Sequence, residues 1–195
     1  MPLSQRRITD AASLKALAHP TRVAILEVLV TEGARTATEL GTILGESPAN
    51  CSWHLRKLAE HGFVREAGGG AGRNRPWRAV SEGLTWGEPD DEPAAAAAGR
   101  GLSDMLLERE VQRLRAAQAA QPSEPADWRA ATEVVSSKMW LTAEEAAEVG
   151  SELIALFTRF SERIQEPETR PEGARLVATV GWVIPNGSHR LEADR

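Results

Sequence analysis

Apolar residues in the first third of the chain recur at three- and four-residue spacing in short blocks, each cut off by Gly or Pro, which predicts short amphipathic helices. The first block carries Leu14, Leu17 and Ala18, with Thr9 or Asp10 as its cap. It must stop ahead of His19-Pro20, because the residue before a proline avoids the helical region. Pro20 opens the next block, residues 20–31, whose apolar face is Val23, Ile25, Leu26, Leu29 and Val30 and which ends near Gly33. Residues 36–44 make a third, with Thr36 or Thr38 as cap and Leu40, Ile43 and Leu44 turned inward. After the joint Gly45-Glu46-Ser47, a fourth has Ser47 as cap, Pro48 at its first position and the stripe Cys51, Leu55 and Leu58, and Gly62 closes it. Two helices joined by a short Gly-containing turn have the sequence form of a helix-turn-helix.

The period then changes to two. Phe63-Val64-Arg65-Glu66 alternates as a strand, and Pro76 to Val80 is its expected partner across the loop 67–75. The tip of that hairpin, GGGAGRNR, is rich in glycine and cationic, so its backbone can approach a surface while Arg73, Asn74 and Arg75 reach outward. Residues 87–99, acidic and then alanine-rich, have the composition of a linker. A helix is expected from Leu102 to Gln121 with Ser103 as a cap and Met105, Leu106, Val111 and Leu114 as its apolar side, until Pro122 and Pro125 break it. The last third predicts strand, helix and strand: Ala131 to Leu141, a helix opened by the capping box of Thr142 and Glu145 and running to about Gln165, and Arg175 to Ile184. The fold expected is mainly α (α+β), organised as a winged helix-turn-helix domain over 1–86, a linker over 87–99, a dimerisation helix over 100–122 and a small acidic α/β module over 127–195.

Charge changes this picture only when it is divided. The whole chain carries a formal net charge of −5, yet residues 1–86 hold 11 Lys and Arg against 8 Asp and Glu, which leaves +3 there and −8 in the remainder. The first part can face phosphate; the second cannot. A single cysteine excludes an intrachain disulfide and fits a reducing cytoplasm, and the N-terminus reads without a leader. No run of about 18 apolar residues is present to span a bilayer.

A recognition helix needs small or polar side chains at its leading end, flanking cations and an apolar back that fixes its tilt. If Cys51, Leu55 and Leu58 face inward, Ala49, Asn50, Ser52, Trp53, Arg56 and Lys57 are left toward solvent or DNA. Asn50 or Arg56 is positioned to read a base edge. Ser47, Thr36 and Thr38, with the backbone N–H groups at the helix start, are expected to hold phosphates, and Arg73 and Arg75 to track a neighbouring backbone. Trp53 either stacks on DNA or packs beneath the wing or the C-terminal region.

Three runs carry a family resemblance: LKALAHPTRVAILEVL, TATELGTILGESPANCSWHLRKLAEHGFVRE and the Gly/Arg wing. Over residues 10–82 the chain resembles the ArsR-type winged-helix regulators, most specifically in the Leu-Ala-His-Pro-Thr-Arg run ending at Arg22. Ser52-Trp53-His54-Leu55 with Lys57-Leu58 likewise stands where that family reads SxHLxxL. The resemblance implies a homodimer whose recognition helices sit in successive major grooves of a near-palindromic operator, usually for repression. Metal-sensing members carry a Cys pair in the helix matching 36–44, or His and carboxylates on the dimer helix. Here the first reads TATELGTIL and the 102–121 helix has neither His nor Cys, so no metal is expected at those sites and no cofactor is implied. Beyond the wing the chain resembles the longer actinobacterial-type members.

Blander roles compete at several residues. Cys51, on the Leu55/Leu58 stripe, suits a small core residue better than a sensor. His54 and His61 are two helical turns apart, too far for one metal, and His19 lacks a catalytic partner. GGGAG lacks the Lys-Ser/Thr ending of a phosphate loop. Trp77, Trp86, Trp128, Trp140 and Trp182 belong to a core or line a pocket for an aromatic or lipophilic effector. The reading is a cytoplasmic, non-enzymatic regulator with double-stranded DNA and a second copy as partners. A small-molecule effector or protein partner is assigned to the C-terminal module. The rival is a winged-helix module that binds a protein and no operator.

Overall fold

The computed structural model describes residues 5–69, 75–81, 83–87 and 92–185. The chain opens with strand β1 (Gln5–Arg7), followed by α1 (Ala11–Leu17), α2 (Pro20–Thr31), α3 (Ala37–Leu44) and α4 (Pro48–Glu60). Of the caps left open by the sequence, Asp10 serves α1, taking the Ser13 N–H at 2.7 Å. Thr36 serves α3 in a reciprocal box with Glu39. His19 was not foreseen as a cap; its Nδ1 accepts the Thr21 N–H at 3.2 Å and starts α2. Ser47 caps α4 with Pro48 at the first position, as the punctuation predicts.

After α4, β2 (Val64–Glu66) pairs antiparallel with β3 (Trp77–Ala79), with Arg65 opposite Arg78. β3 is also bridged to Arg35 through two backbone bonds of 2.9 and 2.8 Å, which ties the wing to the segment entering α3. β4 (Gly83–Thr85) pairs in parallel with β1, a contact between residues far apart in sequence that no local pattern announced. The tip residues Arg73 and Asn74 lie outside the described residues.

One core unites these elements: Leu14 and Leu17 of α1, Ile25 and Leu29 of α2, Leu40 of α3, Cys51, Leu55 and Leu58 of α4, and Phe63 and Val64 entering the wing. It is completed by α5 (Pro93–Ala120), whose Ala95 and Leu102 are buried with them. Here the expected linker 87–99 is corrected, because residues 93–99 are already helix. Small side chains there let α5 lie close against α1, and Gly99 is buried beneath Trp86. Ser103, expected as a cap, instead accepts the Trp86 indole N–H at 3.0 Å.

Beyond α5 come α6 (Ala126–Ala130), α7 (Ala143–Thr158) and α8 (Glu162–Gln165). The strands expected at 131–141 and 175–184 are not formed; both segments lack regular secondary structure, so the small α/β module is helical among the described residues. Alternation suits a residue to a pleated surface, but a strand exists only with a partner edge, and neither segment has one. The second segment lies on α7 instead. A Cβ at Gly181 would fall 2.7 Å from Leu153 Cδ2 and 3.1 Å from Phe157 Cζ.

Candidate nucleic-acid interface

The turn between α3 and α4 sets the angle of the exposed helix. Gly45 is left-handed at φ 68°, and its N–H and that of Glu46 both reach the Gly41 carbonyl. The backbone passes so close that a Cβ on Gly41 would sit 2.7 Å from the Glu46 carbonyl oxygen and 3.3 Å from the Pro48 nitrogen. Gly41 was not singled out from the sequence, although a glycine inside a helical block is a signal of close approach.

With Cys51, His54, Leu55 and Leu58 buried, α4 turns Ala49, Trp53 and Arg56 outward, with Ser52 and Lys57 half-buried at its margins. The Ser47 hydroxyl accepts the Asn50 N–H at 3.1 Å, and Pro48 has no N–H, so the Ala49 N–H remains at the leading end. Asn50 is half-buried and its side-chain amide donates to Glu46 at 2.8 Å, which leaves its carbonyl oxygen for other partners. Arg56 is exposed and makes no hydrogen bond or ion pair among the described residues. Lys57 pairs with Glu60 at 2.8 Å, and that bond holds the Glu60 carboxyl below its usual range. Trp53 is 46% exposed and meets the His54 ring edge-on at 4.8 Å.

On α3, the Thr36 hydroxyl takes the Glu39 N–H at 3.2 Å, and the Glu39 carboxylate takes the Thr36 N–H and hydroxyl, both at 2.7 Å. Those bonds hold the Glu39 carboxyl low and occupy the Thr36 hydroxyl, leaving exposed Thr38 as the freer of the two. On the wing, Arg75 is exposed and pairs with Glu66 at 3.1 Å. Arg65 and Arg78 stand opposite each other across β2 and β3, both exposed and without hydrogen bonds or ion pairs among the described residues. Like charges directly opposed across a ladder are unfavourable by themselves. Sequence reading missed this pair, though each occupies the middle position of its strand, the signal that could have found it.

Behind α4 lies a cluster that faces inward. The rings of His19 and His54 are 4.5 Å apart, His54 is buried with no hydrogen bond to Nδ1, and buried Arg22 Nε is also unpartnered. Burial first, and then the neighbouring Arg22 charge, holds the His19 imidazole below its ordinary range; for His54 burial, His19 and Arg22 act in that order. Burial raises the Cys51 thiol, with Glu46 adding to the effect. His61 turns away to Ser13, 3.2 Å from its hydroxyl, so His54 and His61 serve different neighbours.

Residues 17–67 match the family described as a helix-turn-helix domain. M. tuberculosis Rv0081 is 31% identical over 51% of this chain and 90% of its own, at a TM-score of 0.32. NMB1585, a MarR family regulator from Neisseria meningitidis, is 16% identical over 76% of this chain and 80% of its own, at 0.33. No curated protein matches the chain. Among the described residues no helix is long and apolar enough to cross a membrane. With α3, α4 and β2 inside the matched residues and β3 pairing with β2 beyond them, the chain carries a winged helix-turn-helix domain, the fold of DNA-binding transcriptional regulators.

Proposed function

We propose that this chain is a sequence-specific transcriptional regulator of the ArsR type. It acts as a repressor, binds a near-palindromic operator as a homodimer, and does not sense metal through the sites usual in that family. The observation that carries the proposal is a set of exposed arginines without hydrogen bonds or ion pairs among the described residues: Arg56 on the outward face of α4, and Arg65 opposite Arg78 on the wing. Two opposed guanidinium groups are uncomfortable in water and suited to a phosphate backbone. α4 then enters the major groove, with Arg56 and the Asn50 carbonyl facing base edges, while Ser47, Ala49, Thr38 and Arg75 hold phosphates. Ser52, Trp53 and Lys57 line the same face, and Thr36 acts through its cap. Subunits pair through α5, where Leu107 and Leu114 lie exposed seven residues apart with half-buried Val111 between them.

The test is a gel-shift titration with DNA upstream of the chain's own coding sequence. Affinity is expected to fall about 10³-fold or more between ~50 and ~200 mM salt, because phosphate contacts release counterions. Arg56→Ala with Lys57→Ala weakens binding, and Arg65→Ala with Arg78→Ala lowers the salt slope. Binding that ignores salt and all four substitutions would sink the reading.

A further inference from the structure

Between α2, the base of the wing and α5 lies a cavity of about 350 Å³ that opens to solvent. Its walls include Leu26, Val30, Phe63, Leu84, Trp86 and Leu106. That volume lies toward the small end of the ~300–1,000 Å³ range of ligand pockets. The aromatic wall is held in place. The Trp86 indole N–H donates to Ser103 at 3.0 Å, and the ring lies over Gly99, where a Cβ would come within 3.2 Å of its Cδ1. The concavity is therefore built into the packing of Trp86, just after β4, against α5.

At the mouth, Glu27 accepts from both Arg109 and Arg113, the latter at 2.6 Å, and Arg113 also reaches Glu110 at 3.0 Å. Two cations face two carboxylates, so the rim offers no net field to an ion. A charged ligand would be desolvated at a rim with no net charge to offset it, and an anion would also meet the Glu27 and Glu110 carboxylates. A neutral molecule avoids both costs, and it can use the Arg109 N–H groups that Glu27 does not occupy.

We infer that this cavity binds a neutral, largely apolar small organic molecule, with one hydrogen-bonding end at the Glu27/Arg109 rim. Phe63 directly follows the α4 turn and Leu84 belongs to β4, so an occupant braces the base of the wing against α2 and α5. The site stands on the cavity and not on the DNA-binding reading. Its test uses the free full-length chain without DNA, so each can fail alone.

The probe is N-phenyl-1-naphthylamine, a neutral fluorophore. Saturable binding of one probe per chain is expected, with quenching of a tryptophan signal that disappears in Trp86→Phe. Leu106→Trp and Val30→Trp, which fill the cavity, should each weaken binding by about ten-fold or more. Trp182→Ser, which changes only the exposed C-terminal apolar surface, should leave it unchanged. 1-Naphthoate should bind at least about ten-fold more weakly than 1-naphthamide, its neutral counterpart on the same ring system, each read by displacement of the probe. Circular dichroism confirms that each variant is folded; if both filling variants unfold, the Trp86-specific quenching decides. Non-saturating binding, binding untouched by the filling variants, loss in Trp182→Ser, or tighter binding of naphthoate than of naphthamide would each overturn the proposal.

Discussion

In α3 the Thr36 hydroxyl takes the Glu39 N–H at 3.2 Å and the Glu39 carboxylate takes the Thr36 N–H at 2.7 Å; in α7 Thr142 and Glu145 repeat both bonds at the same distances. The two helices start by one device and then diverge. α3 buries Ala37, Leu40 and Gly41 in a shared core, whereas α7 buries nothing, and its Ile154, Leu156 and Phe157 are 62%, 49% and 40% exposed. The same divide separates the two regions of the molecule, since Leu102 is the last buried residue among those described. A cap contributes about 1 kcal/mol and fixes where a helix begins. Burying one leucine contributes about 1.5–3 kcal/mol and joins a helix to a cooperative unit. The caps are alike, so it is burial that makes the regions differ.

This contrast can be broken at graded positions. The largest effect is expected from Leu55→Ala: its side chain is fully buried in the winged-helix core, and the loss should be about 2–5 kcal/mol by urea denaturation. Gly41→Ala comes next, at about 1–3 kcal/mol, because the Glu46 carbonyl it would strike is backbone and can yield only by opening the α3–α4 turn. The same substitution should weaken DNA binding beyond what the stability loss explains, and equal binding at temperatures where it stays folded would refute that geometry. Thr36→Ala should cost about 1 kcal/mol in the global transition.

A pH series sharpens the comparison further. His19 and His54 sit only in the N-terminal region, and burial holds both below their ordinary value of 6.5. The unfolded chain therefore takes up protons that the folded chain refuses. Stability is expected to fall as pH drops below about 6.5, and to level off above it. The capping carboxylate Glu39 is held below 4.5, so its contribution is lost only under more acid conditions and leaves the histidine window separate. Melting curves between pH 7.5 and 5.5 should slope less in His54→Phe. The smallest effects belong to the C-terminal region, where Thr142→Ala and Ile154→Ala should each move the global transition by less than ~0.5 kcal/mol. A loss as large as that of Leu55→Ala at Ile154 would show that the exposed face of α7 is covered in solution.

Much of the winged helix was legible because its signals are local. Asp10, Thr36 and Ser47 can cap only the residues just after them, Pro20 and Pro48 can only open helices, and Gly45 and Gly62 supply the positive φ that ends them. The exposed face of α4 followed from the Cys51/Leu55/Leu58 stripe by helical periodicity alone. The candidate interface was less legible in its details. Asn50 looked available until Glu46 was found on its amide, and the Arg65–Arg78 opposition depends on a strand register fixed by the wing's pairing. The start of α5 was misread because alanine and glycine look like a linker wherever no close neighbour is visible. In the fold those small residues are what let α5 approach α1 and Trp86.

By itself the sequence determined the four opening helices, their turn and the hairpin after them, since each rests on interactions within a few residues. Only the tertiary structure decided that β4 returns to β1, that Ser103 receives Trp86 instead of capping a helix, and that Glu27 gathers Arg109 and Arg113 beside an apolar cavity. It also left 131–141 and 175–184 without ladders despite their strand-like alternation. Contacts between residues tens of positions apart form only where the sum of burial over the whole chain exceeds the entropy of closing the loop between them. A local pattern carries no record of that sum.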